Sequence, residues 1–277
     1  MNGSIAQVVV LVCAGNAMLK GRDVSGLWPN ADVFKFTKEC RFLAPPLDGP
    51  FSLSRDYVAD NPTEWLAKQT RGSNGFRLRM EHRRFDRPMG GQDQERMTAG
   101  FVGGGPHWYV EVMRPHGSDL WEAQDRVSNK DDPDHRIWST TYLRTSSHVV
   151  LPPPNQPPIP EVSKRLLNAL EEIHAFANEV RADPFAKLFG DAIADLRSAS
   201  PPASGYSDDI FRYGAPGLPA RRLFAAASAA WVFGGMGSWN DLGFEGKTEV
   251  RYIALSDMLF WTLVDAIVAA TNSTLQV

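Results

Sequence analysis

The stretch LPPPNQPPIP, residues 151–160, decides how the chain is read, with proline at 152, 153, 154, 157, 158 and 160. A proline ring fixes φ and removes the N–H donor. Such a run is therefore neither helix interior nor central strand, and it reads as a stiff extended connector. The hydrophobic pattern changes across it. Residues 1–151 carry alternating or continuously apolar segments of strand length, whereas residues 161–277 carry apolar positions at helical spacing. Strands followed by helices predict an α+β fold, a mostly antiparallel N-terminal sheet of about six strands with the C-terminal helices packed on one face. The expected organisation is 1–151, a connector at 152–160, and 161–277, the two halves forming one integrated domain.

Working outward, Ile5–Ala14 is almost wholly apolar and rich in valine, which predicts a strand covered on both faces. Val33–Leu43 alternates, with Phe34, Phe36, Cys40 and Phe42 opposite Lys35, Thr37, Glu39 and Arg41. Phe76–Phe85 and His107–Arg114 alternate in the same way. Arg136–Leu143 and His148–Leu151 flank Thr145-Ser146-Ser147, read as a turn. One helix interrupts the strands: Asn61-Pro62-Thr63-Glu64 supplies an N-cap, a first-turn proline and an acidic third position, and opens Pro62–Gln69. Beyond the connector, Val162, Leu166, Leu170, Ile173 and Ala177 set a helix over Glu161–Ala182, and Asp183-Pro184 opens another to Arg197. A loop over Ser198–Gly217, a helix from Pro219 to Phe233 stopped by Gly234, and a final helix over Glu249–Asn272 complete the pattern.

The chain has 277 residues and a formal charge of −3, without the broad positive field of a general nucleic-acid binder. Cys13 and Cys40 are its only cysteines, which fits a soluble protein of the reducing cytoplasm rather than a disulfide scaffold. Tyr252–Ala270 is apolar but carries Asp257 and Asp265, so no membrane span is expected. No lysine or arginine precedes Ile5, so the first apolar run is not expected to be a secretory signal. Glycine and proline number 23 and 20, against about 33 together at average usage. The surplus concentrates in the proline-rich linker and in two glycine-rich loops, Gly100–Gly105 and Gly234–Gly246.

Candidate site residues come from four places. In the loop Gly234-Gly235-Met236-Gly237, followed by Ser238, Trp239, Asn240 and Asp241, glycines allow close backbone approach and the polar groups offer ligand contacts. The competing role is a helix stop with Trp239 as a packing plug. Asp257 and Asp265 lie among apolar residues of the last helix, where a carboxylate must be paired, hydrogen-bonded or neutral. His107, Tyr109 and Glu111 share one face of a strand, a histidine–phenol–carboxylate set suited to proton transfer, or simply its solvent face. Arg77, Arg79, Arg83, Arg84 and Arg87 form a basic run suited to an anion, or to pairing with the acidic segment 119–134.

These yield two functional expectations. In the first, an enzyme or binding protein takes a small polar or anionic molecule in a cleft between sheet and helices. Asp241, His107 and Glu111 are its catalytic candidates, and Ser238, Trp239, Asn240, Asp257 and Arg79 its ligand-binding candidates. No metal or cofactor motif is present, so neither is expected. In the second, a non-catalytic component binds a protein partner or another copy of itself through aromatic and arginine surface and the proline-rich segment.

Overall fold

The computed structural model describes residues 1–45, 56–82, 94–152, 156–203 and 205–275. Six strands, β1 (Thr37–Ala44), β2 (Asp56–Ala59), β3 (Gly75–Glu81), β4 (His107–Arg114), β5 (Gly117–Val127) and β6 (Trp138–Val149), form one sheet in the order β2-β1-β6-β5-β4-β3. Every neighbouring pair is antiparallel except β1 with β6. The fold is α+β, with the C-terminal helices packed together and on the sheet.

The largest departure from the sequence reading is at the N-terminus. Ile5–Ala14 is not a strand but the middle of helix α1 (Gly3–Leu19). Every residue from Ile5 to Ala17 is buried. A helix enclosed on all sides has no polar face, so its 3.6-residue period leaves no trace in the hydrophobic pattern. Asn2 caps it, accepting the Ile5 N–H at 2.9 Å. α1 lies on the core face of β3, β4 and β5. Gly15 permits that approach, since a Cβ there would stand 2.6 Å from the Phe76 ring.

Other differences are local. Strand β1 starts only at Thr37, because Asp32–Phe34 forms a 3₁₀ turn. β5 occupies part of the acidic segment, which had shown no strand signal. The expected turn at Thr145–Ser147 lies inside the continuous strand β6, where threonine suits a pleated surface. A short helix α6 (Tyr206–Asp209) and a π-helical turn (Ile210–Gly214) occupy the expected loop Ser198–Gly217. The helix α2 (Pro62–Gln69) matches its expectation, with Asn61 accepting the Glu64 N–H at 2.9 Å. The end of the expected strand Phe76–Phe85 lies outside the described residues, as do Pro153 and Pro154 of the connector.

The C-terminal helices are α4 (Ile159–Glu179), α5 (Asp183–Arg197), α7 (Leu218–Ala229) and α8 (Gly246–Asn272). α8 touches both α1 and β3, and α4 and α7 pack against it. By length and composition α8 could cross a membrane, but it runs through this core. The hydrophobic cluster is continuous from β1 through α1 to α4, α5, α7 and α8.

Strand β3 stands at the edge of the sheet, yet the outward backbone groups of Phe76 and Leu78 are occupied. Asn16 of α1 accepts the Phe76 N–H at 2.8 Å and donates to the Phe76 carbonyl at 2.9 Å. Asn272 of α8 does the same at Leu78, at 2.7 and 3.1 Å. Two buried carboxamides thus take the place of a neighbouring strand and blunt an edge that would otherwise invite pairing.

Candidate active-site cleft

The connection between β3 and β4 builds the site. Its described part begins with the short helix α3 (Gln94–Thr98). Arg96, 1% exposed at its side chain, donates from Nε to Asp257 of α8 at 2.6 Å and from Nη1 to Asn240 at 2.6 Å. Asn240 returns a bond to the Arg96 carbonyl at 3.2 Å. Asn2 donates to the Ala99 carbonyl at 2.9 Å. Gly100 packs on the backbone of Gly234, where no Cβ would fit. The two glycine loops therefore meet, held by a buried arginine that the sequence did not single out.

Past this anchor the chain turns sharply. Gly103 and Gly105 take φ of 72° and 71°, values disfavoured for side-chain-bearing residues. Gly104 sits against the Thr98 carbonyl with no room for a Cβ. The turn overhangs a cleft of about 440 Å³, whose other walls are the first turn of α1 and the end of β5. β4 pairs with β5 only as far as Tyr109↔Glu122. The last residues of β5 therefore run past β4, and the cleft lies beside them. His107 and Glu122 meet on its wall, Nδ1 to Oε1 at 2.5 Å. Asp125 lies further along, accepting Ser4 Oγ–H at 2.6 Å and Thr140 Oγ–H at 2.6 Å.

The expected residues divide between this cleft and structural duty. His107 lines it. Glu111 does not share its surroundings: two residues beyond Tyr109 on the same strand, it is buried under Arg79 (2.5 Å) and Arg77 (3.6 Å) and accepts Ser118 Oγ–H at 2.7 Å. His107 and Glu111 stand about 13 Å apart at ordinary strand rise, too far for one proton-transfer set, and the carboxylate that joins His107 is Glu122. Arg79 is occupied by Glu111 and by the Pro152 carbonyl at 2.8 Å. Arg83, Arg84 and Arg87 lie outside the described residues.

In the second loop Asp241 accepts the N–H groups of Gly237 (2.5 Å) and Ser238 (3.1 Å) and caps the 3₁₀ turn Trp239–Asp241. Ser238 donates to the Gly234 carbonyl at 3.2 Å. Trp239 is fully buried, donates to Ser256 at 2.8 Å and packs edge-on against Phe185 and Phe189. It is the packing plug of the competing role. Asn240 and Asp257 hold Arg96, and Asp265 pairs with Arg165 at 3.3 Å. Burial pushes the Cys13 thiol up to about 12 and Cys40 well above its usual range, so neither is a thiolate nucleophile. Among the described residues no cluster of histidine, cysteine, aspartate or glutamate could hold a metal.

In the sequence Glu122 and Asp125 stand only within an acidic run, and Ser4 carries no signal. A missed strand concealed the first two, and the misread helix concealed the third. No family model, curated protein or solved structure matches the chain.

Proposed function

We propose that the chain binds and turns over a small polar molecule in this cleft, with His107 as the acid–base group. The observation that carries the reading is the His107–Glu122 pair on the wall of a concave site roofed by tight glycine backbone. A carboxylate at Nδ1 favours the tautomer protonated there. Nε2 is then an acceptor able to take a proton from a bound hydroxyl or amine. Glu122 is the positioning residue. Among the described residues the lining includes two carboxylates and neither lysine nor arginine, which favours a neutral or cationic ligand over an anionic one.

The test is a thermal-shift screen of polar metabolites, sugars, amino acids and amines against the parent chain, His107→Gln and Glu122→Gln. A ligand at 100 times its Kd raises stability by about 2.7 kcal/mol. A hit whose turnover falls at least a hundredfold in His107→Gln, while the variant keeps its own melting temperature, fits the reading. Silence across the panel, or turnover unchanged in both variants, overturns it. The second expectation, an interaction component, draws support from Phe101 and Val102 at the loop tip, 63% and 58% exposed. Concentration-dependent association abolished by Phe101→Ser, with no small-molecule hit, would decide for it.

A further inference from the structure

Beside the main cleft lies a second cavity of about 200 Å³, and the two share Ser4, Val102 and Asp125. We propose that this cavity is a subsite for the ammonium group of a primary amine carrying an apolar or aromatic body, with Asp125 as its counter-ion. The inference rests on the cleft being a ligand site, as argued above.

Two independent features support the assignment. Asp125 has no lysine, arginine or histidine within ion-pair distance among the described residues. Ser4 and Thr140 each give one hydrogen bond to a different oxygen. A carboxylate accepts about four such bonds, so acceptor capacity is left at the junction of the two cavities. The second feature is Gln7, 6% exposed, which lines the smaller cavity. Its Nε2 donates to the Val33 carbonyl at 2.9 Å and to Thr37 Oγ at 3.0 Å. The Val33 carbonyl can only accept, which fixes the orientation of the amide. Oε1 is then a buried acceptor with no donor among the described residues. Oε1 has almost no surface open to the cavity, so a donor reaches it only when the Gln7 side chain shifts toward the ligand; an ammonium group supplies three donors. Phe36, Trp138 and Tyr206 add aromatic walls for the body of the ligand, and ring faces also attract cations. The competing role for Asp125 is a carboxylate that does no more than face the positive end of α1.

The experiment is calorimetric titration of the whole chain at pH 7 with 2-phenylethylamine and with its neutral isostere 2-phenylethanol. Parent, Asp125→Asn, Gln7→Leu and His107→Gln chains are compared, each checked for folding by circular dichroism. The amine is expected to bind at least about tenfold more tightly than the alcohol, as a charge-assisted hydrogen bond implies. Asp125→Asn should remove that preference, Gln7→Leu should weaken the amine several-fold, and His107→Gln should leave its affinity unchanged. Equal affinities for amine and alcohol, an amine preference that survives in Asp125→Asn, or no binding of either probe at millimolar concentration overturns the subsite. The main cleft stands or falls separately, on turnover in His107→Gln.

Discussion

Replacing Asn16 by leucine tests whether the edge of the sheet is held by side-chain amides. Leucine has similar size, so packing against Phe76 is nearly conserved, while the bonds to Phe76 N–H, Phe76 carbonyl and Thr274 Oγ (2.8, 2.9 and 3.0 Å) vanish. Net loss of a neutral hydrogen bond costs about 1 kcal/mol, and each buried group left unpaired costs about 1–3 kcal/mol. The added apolar surface returns about 1 kcal/mol. The expected destabilisation is about 3–5 kcal/mol, read as a shift of the urea midpoint with unchanged slope. At ~2–4 °C per kcal/mol for a chain of this size, Tm falls by roughly 6–20 °C. Native-state hydrogen exchange supplies the local readout: the Phe76 amide loses more protection than the Val110 amide in the neighbouring strand. Asn16→Asp keeps the acceptor for Phe76 N–H but turns an oxygen toward the Phe76 carbonyl, and should be no better than leucine at pH 7. A cost below about 1 kcal/mol for Asn16→Leu, with Phe76 exchange unaltered, would refute the edge-capping argument.

Three further outcomes are expected. Arg96→Met should cost about 2–4 kcal/mol by urea unfolding, because Asn240 Oδ1 and a carboxylate 28% exposed each lose a hydrogen bond from a buried guanidinium; in Arg96→Met/Asp257→Leu the combined loss should be less than additive. Gly15→Ala, which raises helix propensity by about 1 kcal/mol in an open helix, should instead lower Tm, since its Cβ would meet Phe76 at 2.6 Å. Burial, with Asp32 and Asp208 adding repulsion, pushes Asp209 up to about 6. Its folded form holds its proton more tightly than the unfolded chain does, so stability falls as pH rises from about 4 through 6. Asp209→Asn retains an acceptor for the Val33 N–H, bound at 2.8 Å; its Tm relative to the parent should therefore rise between pH 4.5 and pH 7.5, and a pH-independent difference would contradict this.

Much of the architecture was legible because it obeys local rules. The Asn61-Pro62 start of α2, the Asp183-Pro184 start of α5 and the half-buried alternation of β4 all state their own geometry. The failures have physical causes as well. α1 is buried on every side, so nothing marked its period. β5 carries Asp119 on its core face, where Arg114, Ser147 and the His148 N–H bind it, and that burial breaks the apolar alternation a strand would show. Asn16 and Asn272 are single polar residues in long helices, and their partners lie 60 and 194 positions away. The site suffered from both kinds of failure. The glycine excess did mark where two loops converge, but of the polar groups beside them only His107 lies on a strand the sequence reveals, and Glu122, Asp125 and Ser4 belong to elements it conceals.

That outcome follows from how the cleft is built. Catalytic geometry requires groups held to a fraction of an ångström by a rigid surround, and here the rigid part is the first loop rather than the second. Arg96, Asn2 and the Gly100–Gly234 contact tie residues 96–100 to α8, the N-terminus of α1 and the second loop. Trp239 fills the space beneath that second loop with an indole bonded to Ser256, so the loop acts as an anchor. Freed from that duty, Gly103–Gly105 can turn tightly over the end of β5, and His107 follows directly at the start of β4. The residues whose types best suited ligand contact in the sequence, Asp241, Asn240 and Asp257, are thus the ones that position the loops, while the His107–Glu122 pair sits where the first loop releases the chain into the sheet.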